Sequence, residues 1–80
     1  MAHTPHELAE DFPEAVETIR RLKRSDPHFA RLVEAYHDIN RAVHRAESLA
    51  VPVSESFEQD LRRRRMSLKD EIGRRLRAET

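Results

Sequence analysis

Five histidines and fifteen acidic residues are the side chains of this 80-residue chain that could bind a metal ion or move a proton. His3 and His6 lie three residues apart beside Glu7, whereas His37 and His44 lie seven apart on one predicted helix face. Seven residues span roughly 10.5 Å along a helix, too far for two side chains to share one ion without a third element. The spacing therefore predicts edge or solvated histidines and no metal site.

The carboxylates show no pattern typical of an active site. They are so frequent that close pairs occur by chance, and the chain lacks cysteine, a glycine-rich loop, a nucleophile elbow and an HExxH motif. A helical protein of this size also offers little concave volume for a substrate. We expect no enzyme activity, no cofactor and no small-molecule substrate.

Four consecutive arginines near the carboxyl end raise the question of binding to an anionic polymer. Successive residues on an α-helix are rotated by about 100°, so Arg62, Arg63 and Arg64 point in different directions. Glu58 precedes Arg62 by four residues and Asp60 precedes Arg64 by four, a spacing that favours ion pairs along the helix. The simpler interpretation of these three arginines is a solvated helix surface.

The alternative is an interaction surface that binds nucleic acid. It would consist of six residues of the final helix: Arg62, Arg63, Arg64, Arg74, Arg75 and Arg77. Against it, 15 basic and 15 acidic side chains give a formal net charge of zero, and binding to phosphates depends on neutralising them. No aromatic residues are interleaved with the arginines for base stacking. Nucleic acid is therefore possible as a partner but not favoured.

Arg65 differs from its neighbours because it falls within an apolar stripe, between Leu61 and Leu68. One interpretation is that its aliphatic stem packs in the stripe while the guanidinium reaches Asp38 or stacks on Tyr36. The other is that a charged residue in an apolar seam specifies register or assembly, at some cost in stability. Both interpretations remain open from the sequence.

Four prolines divide the chain into helices, because proline suits the first helical position and disfavours the helical conformation in the preceding residue. They predict a single domain over residues 1–80, with two short and two long helices over 5–11, 13–24, 27–49 and 54–78. Thr4, Asp26 and Ser54 are the predicted N-caps. The first segment is too short for a stable isolated helix, so it is either a short helix or a disordered arm.

Apolar residues of the two long helices form matching stripes. The first stripe has alternating spacings of three and four, typical of a coiled-coil seam, and comprises Phe29, Leu32, Tyr36, Ile39, Val43, Ala46 and Ala50. Leu61, Leu68, Ile72 and Leu76 form the second, with Phe57 at its start. A turn centred on Pro52 pairs Val43 with Leu61, Tyr36 with Leu68, Leu32 with Ile72, residues 28 and 29 with Leu76, and Ile39 with Arg65. The pairing predicts an antiparallel hairpin.

A two-helix hairpin buries only one stripe of each helix. Five apolar residues remain to be covered: Val16, Ile19, Leu22, Val33 and Leu49. The second short helix could fold back over the hairpin, but a homo-oligomer would cover the core more fully. The predicted fold class is all-α: an antiparallel, coiled-coil-like two-helix hairpin with one or two short N-terminal helices, completed by oligomerisation.

The stretches "LKRSDPHFARLVEAYHDINRAVHRAE" (22–47) and "LKDEI" (68–72) resemble the YdcH-like family of small bacterial proteins, whose function is unknown. The matching features are the Ser25-Asp26 break, the run from His28 to Leu32, Tyr36-His37, and the basic run leading into Lys69-Asp70-Glu71-Ile72. The resemblance covers most of residues 12–77. It implies a helical hairpin and supplies no catalytic or binding residues.

Gly73 departs from this family pattern, in which a larger residue usually follows the Lys-Asp-Glu-Ile motif. Glycine costs about 1 kcal/mol relative to alanine inside a helix. The departure predicts that the last helical turns fray, which would leave the basic carboxyl-terminal surface less ordered.

The chain shows neither a secretory leader nor an apolar run of about 18 residues, so we expect a cytoplasmic protein without a membrane span. Our leading interpretation is a non-catalytic module that self-associates and offers charged faces to an unknown protein partner. A nucleic-acid-associated protein is the alternative.

Overall fold

The computed structural model describes residues 7–48 and 54–79. Several residues considered above lie outside these ranges: His3, Thr4, His6, Leu49, Ala50 and Pro52. Within them the chain forms a short helix α1 (Leu8–Asp11), a 3-10 turn (Pro13–Ala15), and the helices α2 (Val16–Ser25), α3 (Pro27–Glu47) and α4 (Glu55–Ala78). The described residues contain no strand, and the two long helices pack against each other. The all-α hairpin prediction is confirmed.

The boundary between α2 and α3 is set by Asp26 and Pro27. Asp26 is extended, with φ −129° and ψ 101°, and its carboxylate accepts hydrogen bonds from the backbone N–H groups of His28 (3.0 Å) and Phe29 (3.2 Å). Pro27 occupies the first turn, where no N–H donor is needed. Ser54 caps α4 in the same way, accepting from the N–H of Phe57 at 3.1 Å.

Cross-helix contacts show that α3 and α4 are antiparallel. Arg62 of α4 reaches Glu47 at the end of α3, Arg65 reaches Asn40 near its middle, and Arg75 lies over the ring of Phe29 at its start. The sequence position therefore rises along α4 as it falls along α3. Among the predicted seam residues, eight are buried: Phe29, Leu32, Tyr36, Val43, Ala46, Leu61, Ile72 and Leu76. Ile39 and Leu68 are half-buried.

The N-terminal helices fold back over one side of the hairpin. Leu8 of α1 and Ile19 and Leu22 of α2 join a single buried cluster with Val33, which is 1% exposed. The hairpin contributes five more members to this cluster: Phe29, Leu32, Tyr36, Ile72 and Leu76. The chain itself thus covers Val33, as the fold-back alternative predicts, while oligomerisation stays a prediction.

Nearer the turn, the N-terminal helices contribute nothing to the core. A second, smaller cluster there contains Val43, Ala46 and Leu61, with Ile39 and Ala42 packed against it. Phe57, expected at the start of the apolar side of α4, is 51% exposed. Counted over the described residues, the apolar core of this half is therefore thinner than that of the half beneath α1 and α2.

Gly73 lies in α4 beneath the ring of Phe12, where it is buried. The helix continues past it to Ala78, so the predicted fraying of the last turns is absent from the structure. Packing of the residue that follows α1 against this glycine gives the helix a tertiary support that its local propensity lacks.

Among the described residues, no helix combines the length and the apolar character that crossing a membrane requires.

Candidate functional site

The arginines of α4 occupy different environments, and Arg75 is the most constrained of those predicted to form a surface. Its guanidinium pairs with the carboxylate of Asp26 and lies 5.7 Å from the centre of the Phe29 ring. The ion pair lowers the pKa of Asp26 and raises that of Arg75. Arg75 therefore fastens the end of α4 to the start of α3 and is not freely available to a partner.

Arg62 and Arg64 also pair within the chain. Arg62 contacts Glu47 Oε2 at 2.9 Å and Glu58 Oε1 at 3.5 Å, while Arg64 contacts Asp60 Oδ2 at 3.2 Å. The contact with Glu47 raises the pKa of Arg62 and lowers that of the glutamate. The two pairs within α4 are those that the four-residue spacing predicts.

Arg63 and Arg74 are exposed, and neither has an ion pair with a residue that the structure describes. Arg77 is exposed as well, but one guanidinium nitrogen lies beside Gly73, 3.4 Å from the position a Cβ would take. The six predicted surface arginines therefore do not form one patch, because Arg62, Arg64 and Arg75 are paired with acidic groups and the six are spread along the helix.

Arg65 donates a hydrogen bond to Asn40 Oδ1 at 3.1 Å. The sequence suggested Asp38 or Tyr36 as its partner, but Asn40 lies on the inner side of α3 and is completely buried. The predicted pairing placed Ile39 opposite Arg65. In the structure, Ile39 instead lies on the side of the hairpin away from α1 and α2, where it lines a groove with Leu68. The sequence did carry a signal for this contact, because Asn40 is a single asparagine next to the apolar seam. A polar side chain that becomes buried at such a position needs a hydrogen-bond partner.

A second polar group links α1 to the hairpin. The Tyr36 hydroxyl donates to Asp11 Oδ2 at 2.9 Å, and Lys69 Nζ lies 3.7 Å from Asp11 Oδ1. Burial, followed by the neighbouring Asp11 carboxylate, raises the pKa of Tyr36. The tyrosine therefore remains a protonated donor at neutral pH, and its role here is structural.

The histidines of the described ranges lie in separate places. His37 Nδ1 is 3.1 Å from Glu7 Oε2, His44 is 3.5 Å from Glu47, and His28 is 4.0 Å from Glu71. Within residues 7–48 and 54–79, no group of three potential ligands is arranged to hold a metal ion.

An apolar surface remains on the side of the hairpin away from α1 and α2. We call it the open face and define it by Ala35, Ile39, Ala42, Phe57 and Leu68. A groove between α3 and α4 runs along it, lined by Ala35, Ile39 and Leu68 and flanked by Asp38, Arg64 and Ser67. Met66, 65% exposed, lies on a different side of α4, beside Arg62 and Lys69.

A model of a protein family of unknown function, DUF465, matches residues 29–76. The chain belongs to this family. No match was found among curated proteins or among solved structures. The match to DUF465 begins in the first turn of α3 and ends in the last turns of α4, so it covers the hairpin with its open face and leaves α1 and α2 outside. The family carries no assigned function that could be transferred to these residues.

Proposed function

We propose that this DUF465 protein is a non-catalytic protein-interaction module that associates with itself through its hairpin. The observation that supports the proposal is the open face, where Phe57 is 51% exposed and Ile39 and Leu68 are only half-buried. Large apolar side chains grouped on one side of a helical layer are typical of surfaces that bind another protein. The N-terminal helices, which could have covered this side, lie on the opposite one.

The proposal involves no chemical step, cofactor or small-molecule substrate. Several ionisable groups of the described residues form pairs that join separate parts of the chain, such as Asp26 with Arg75 and Asp11 with Tyr36. We also propose that the protein is a cytoplasmic member of the YdcH-like group of bacterial proteins, on the basis of the motifs at 22–47 and 68–72.

The self-association can be tested in the cell. Two copies of the full chain with different affinity tags are produced together, and one tag is used for purification. The second copy should be retained, because both expose the same apolar face. Retention of a Phe57→Ser copy should be much weaker than that of the unmodified chain, while a Met66→Ser copy should be retained normally. Failure to retain the unmodified second copy would argue against self-association.

A nucleic-acid-associated role is the second candidate, and the exposure of Arg63 and Arg74 is the observation in its favour. Binding through phosphates must weaken steeply with salt, because it releases counterions. Titration with generic duplex DNA and RNA at two salt concentrations separates this role from the first. Binding at low salt that falls in an Arg63→Ala, Arg74→Ala double variant would support it, and no binding at low salt would eliminate it.

A further inference from the structure

The open face has a charged edge on each helix. Arg31, Asp38 and Arg45 follow one another at intervals of seven residues along α3, so they line one side of that helix with the signs plus, minus, plus. On α4 the corresponding edge carries Asp60, Arg64 and Glu71, with the signs minus, plus, minus. All but Glu71, which is half-buried, are exposed.

Because α3 and α4 are antiparallel, each charged residue of one edge lies at about the same position along the helix axis, or level, as a residue of opposite charge on the other edge. Glu71 lies beside the first turn of α3, as its 4.0 Å approach to His28 shows, and so near the level of Arg31. Asp38 and Arg64 flank the same groove. Arg65 reaches Asn40 across the hairpin. Five residues nearer the turn on each helix, Asp60 lies near the level of Arg45.

We propose that the open face docks onto the open face of a second copy, related by a two-fold axis parallel to the hairpin helices. The inference rests on the proposed self-association and specifies the surface and the symmetry. Such an axis keeps every residue at its own level along the bundle and lays α3 of one copy over α4 of the other. The α3 edge of each copy, with the charges plus, minus, plus, then faces the α4 edge of the other copy, with the charges minus, plus, minus.

The other way to stack two open faces is less favourable. A two-fold axis perpendicular to the helices lays α3 over α3 in opposite directions, and centring it near Asp38 brings Arg31 of one copy against Arg45 of the other. Like charges directly opposed destabilise an interface. The charge pattern therefore selects the parallel axis. Two of its three pairs, Asp38 with Arg64 and Arg45 with Asp60, bring no like charges together. In the third, Arg31 with Glu71, Arg74 of the second copy would lie near the level of Arg31 and weaken the attraction.

The apolar residues fit the same arrangement. Ala35 and Ala42 are small, which lets a second helix approach α3 closely, and Phe57 provides a large side chain to bury. Aromatic side chains of this kind are frequent energetic anchors of interfaces. The present partners of the charged edges do not prevent docking, because the pairs of Asp60 with Arg64 and Asp38 with Arg41 are exposed and contribute little to stability.

A charge-exchange experiment tests both the face and the axis. The dimer dissociation constant of the full chain is measured by sedimentation equilibrium at low salt. Asp38→Arg alone and Arg64→Asp alone should each weaken the dimer about tenfold, because each introduces two like-charge contacts per dimer. The double variant should recover most of the affinity, since the pair is restored with its signs exchanged.

Single-cysteine variants provide a geometric test, because the natural chain has no cysteine. Asp38→Cys and Arg64→Cys chains, mixed and oxidised, should form disulfide-linked dimers that combine one chain of each kind. Neither variant alone should cross-link efficiently. Efficient cross-linking of Asp38→Cys with itself would instead indicate the perpendicular axis and overturn the proposal.

Phe57→Ser and Met66→Ser are matched substitutions of exposed apolar residues on different sides of α4. Helix content measured by circular dichroism should be unchanged in both, and only Phe57→Ser should raise the dissociation constant. A dimer that is insensitive to Phe57 and to both charge reversals, or one lost with Met66, would overturn the docking surface while leaving self-association intact. A natural chain that is monomeric at every concentration would remove the proposed self-association and this inference together.

Discussion

Asp26 combines two roles in one carboxylate, because it caps α3 and also pairs with Arg75 of α4. The guanidinium and the capping N–H groups favour the ionised form, which is why the pKa of Asp26 lies below its ordinary value. An unfolded chain binds this proton more readily than the folded one. The stabilising contribution is therefore present above the unfolded pKa of about 4 and is lost as the pH falls through the lower folded value.

Asp26→Asn should make the free energy of unfolding less dependent on pH in the acidic range. Asparagine is also a good N-cap, so the variant keeps the cap but removes the titrating group and the ion pair. Urea midpoints measured between pH 7 and pH 2 should show the variant less stable than the natural chain at neutral pH, with the difference narrowing below about pH 4. Some dependence of stability on pH should remain in the variant, because the contact with Arg62 also lowers the pKa of Glu47. An equal loss of stability at all pH values would contradict the assignment.

Alanine should fit at position 73 and should raise the free energy of unfolding. A Cβ at this position would lie 3.6 Å from the Phe12 ring and 3.4 Å from the end of the Arg77 side chain, which are ordinary contacts. Gly73→Ala should therefore stabilise the protein by about 1 kcal/mol through helix propensity. Thermal and urea unfolding measure this change. Gly73→Leu is the contrast, because its larger side chain meets Phe12 and should cancel the gain; a loss of stability in Gly73→Ala would contradict the packing described here.

The hydrogen bond between Arg65 and Asn40 ties the two hairpin helices together. Removing the Arg65 guanidinium takes a hydrogen bond away from a fully buried amide and should cost about 1–2 kcal/mol. Arg65→Leu should thus lower the urea midpoint. The Asn40→Leu, Arg65→Leu double variant should lose less than the sum of the two single variants. Additive losses would show that the two side chains are not coupled. The solution mass of Arg65→Leu tests separately whether Arg65 specifies assembly.

Helix α1 is a single turn that is held mainly by tertiary contacts. Leu8 is buried against the core, and Asp11 accepts a hydrogen bond from the Tyr36 hydroxyl. A helix of this length has no stability of its own. Its position therefore depends on the residues of the hairpin beneath it.

Tyr36→Phe should loosen α1 without opening the hairpin. The change keeps the buried ring and removes the hydroxyl that donates to Asp11, for a cost of about 1 kcal/mol. Hydrogen exchange should become faster at the amides of α1 and the following turn, and remain nearly unchanged in the central turns of α3 and α4. Uniformly faster exchange throughout the chain would mean that α1 is not a separate unit.

The long helices could be predicted because their signals are local or periodic. Asp26, Pro27 and Ser54 set helix starts, and the three-four spacing of the apolar residues gives the hairpin. The positions of Asn40, Asp11 and Arg75 could not be derived in this way. Their partners lie far along the chain, at Arg65, Tyr36 and Asp26, so they become evident only when the helices are packed. The exposure of Phe57 was missed because the apolar stripe of α4 drifts around the helix towards its carboxyl end.

The whole molecule has a covered side and an open side. On the covered side, the chain completes its own core with α1 and α2, which lie outside the stretch matched by the DUF465 family. On the open side, apolar residues are flanked by opposite charges whose order is self-complementary. The two edges carry equal numbers of positive and negative residues, and the formal net charge of the chain is zero. This balance suits self-association better than binding to a polyanion.

Self-association is tested most directly by the mass of the natural chain in solution, measured by sedimentation equilibrium over a wide concentration range. We expect a reversible approach to twice the 9.4 kDa of one chain, a mass that Met66→Ser keeps and Phe57→Ser reduces to that of the monomer. A mass of one chain at every concentration would contradict it.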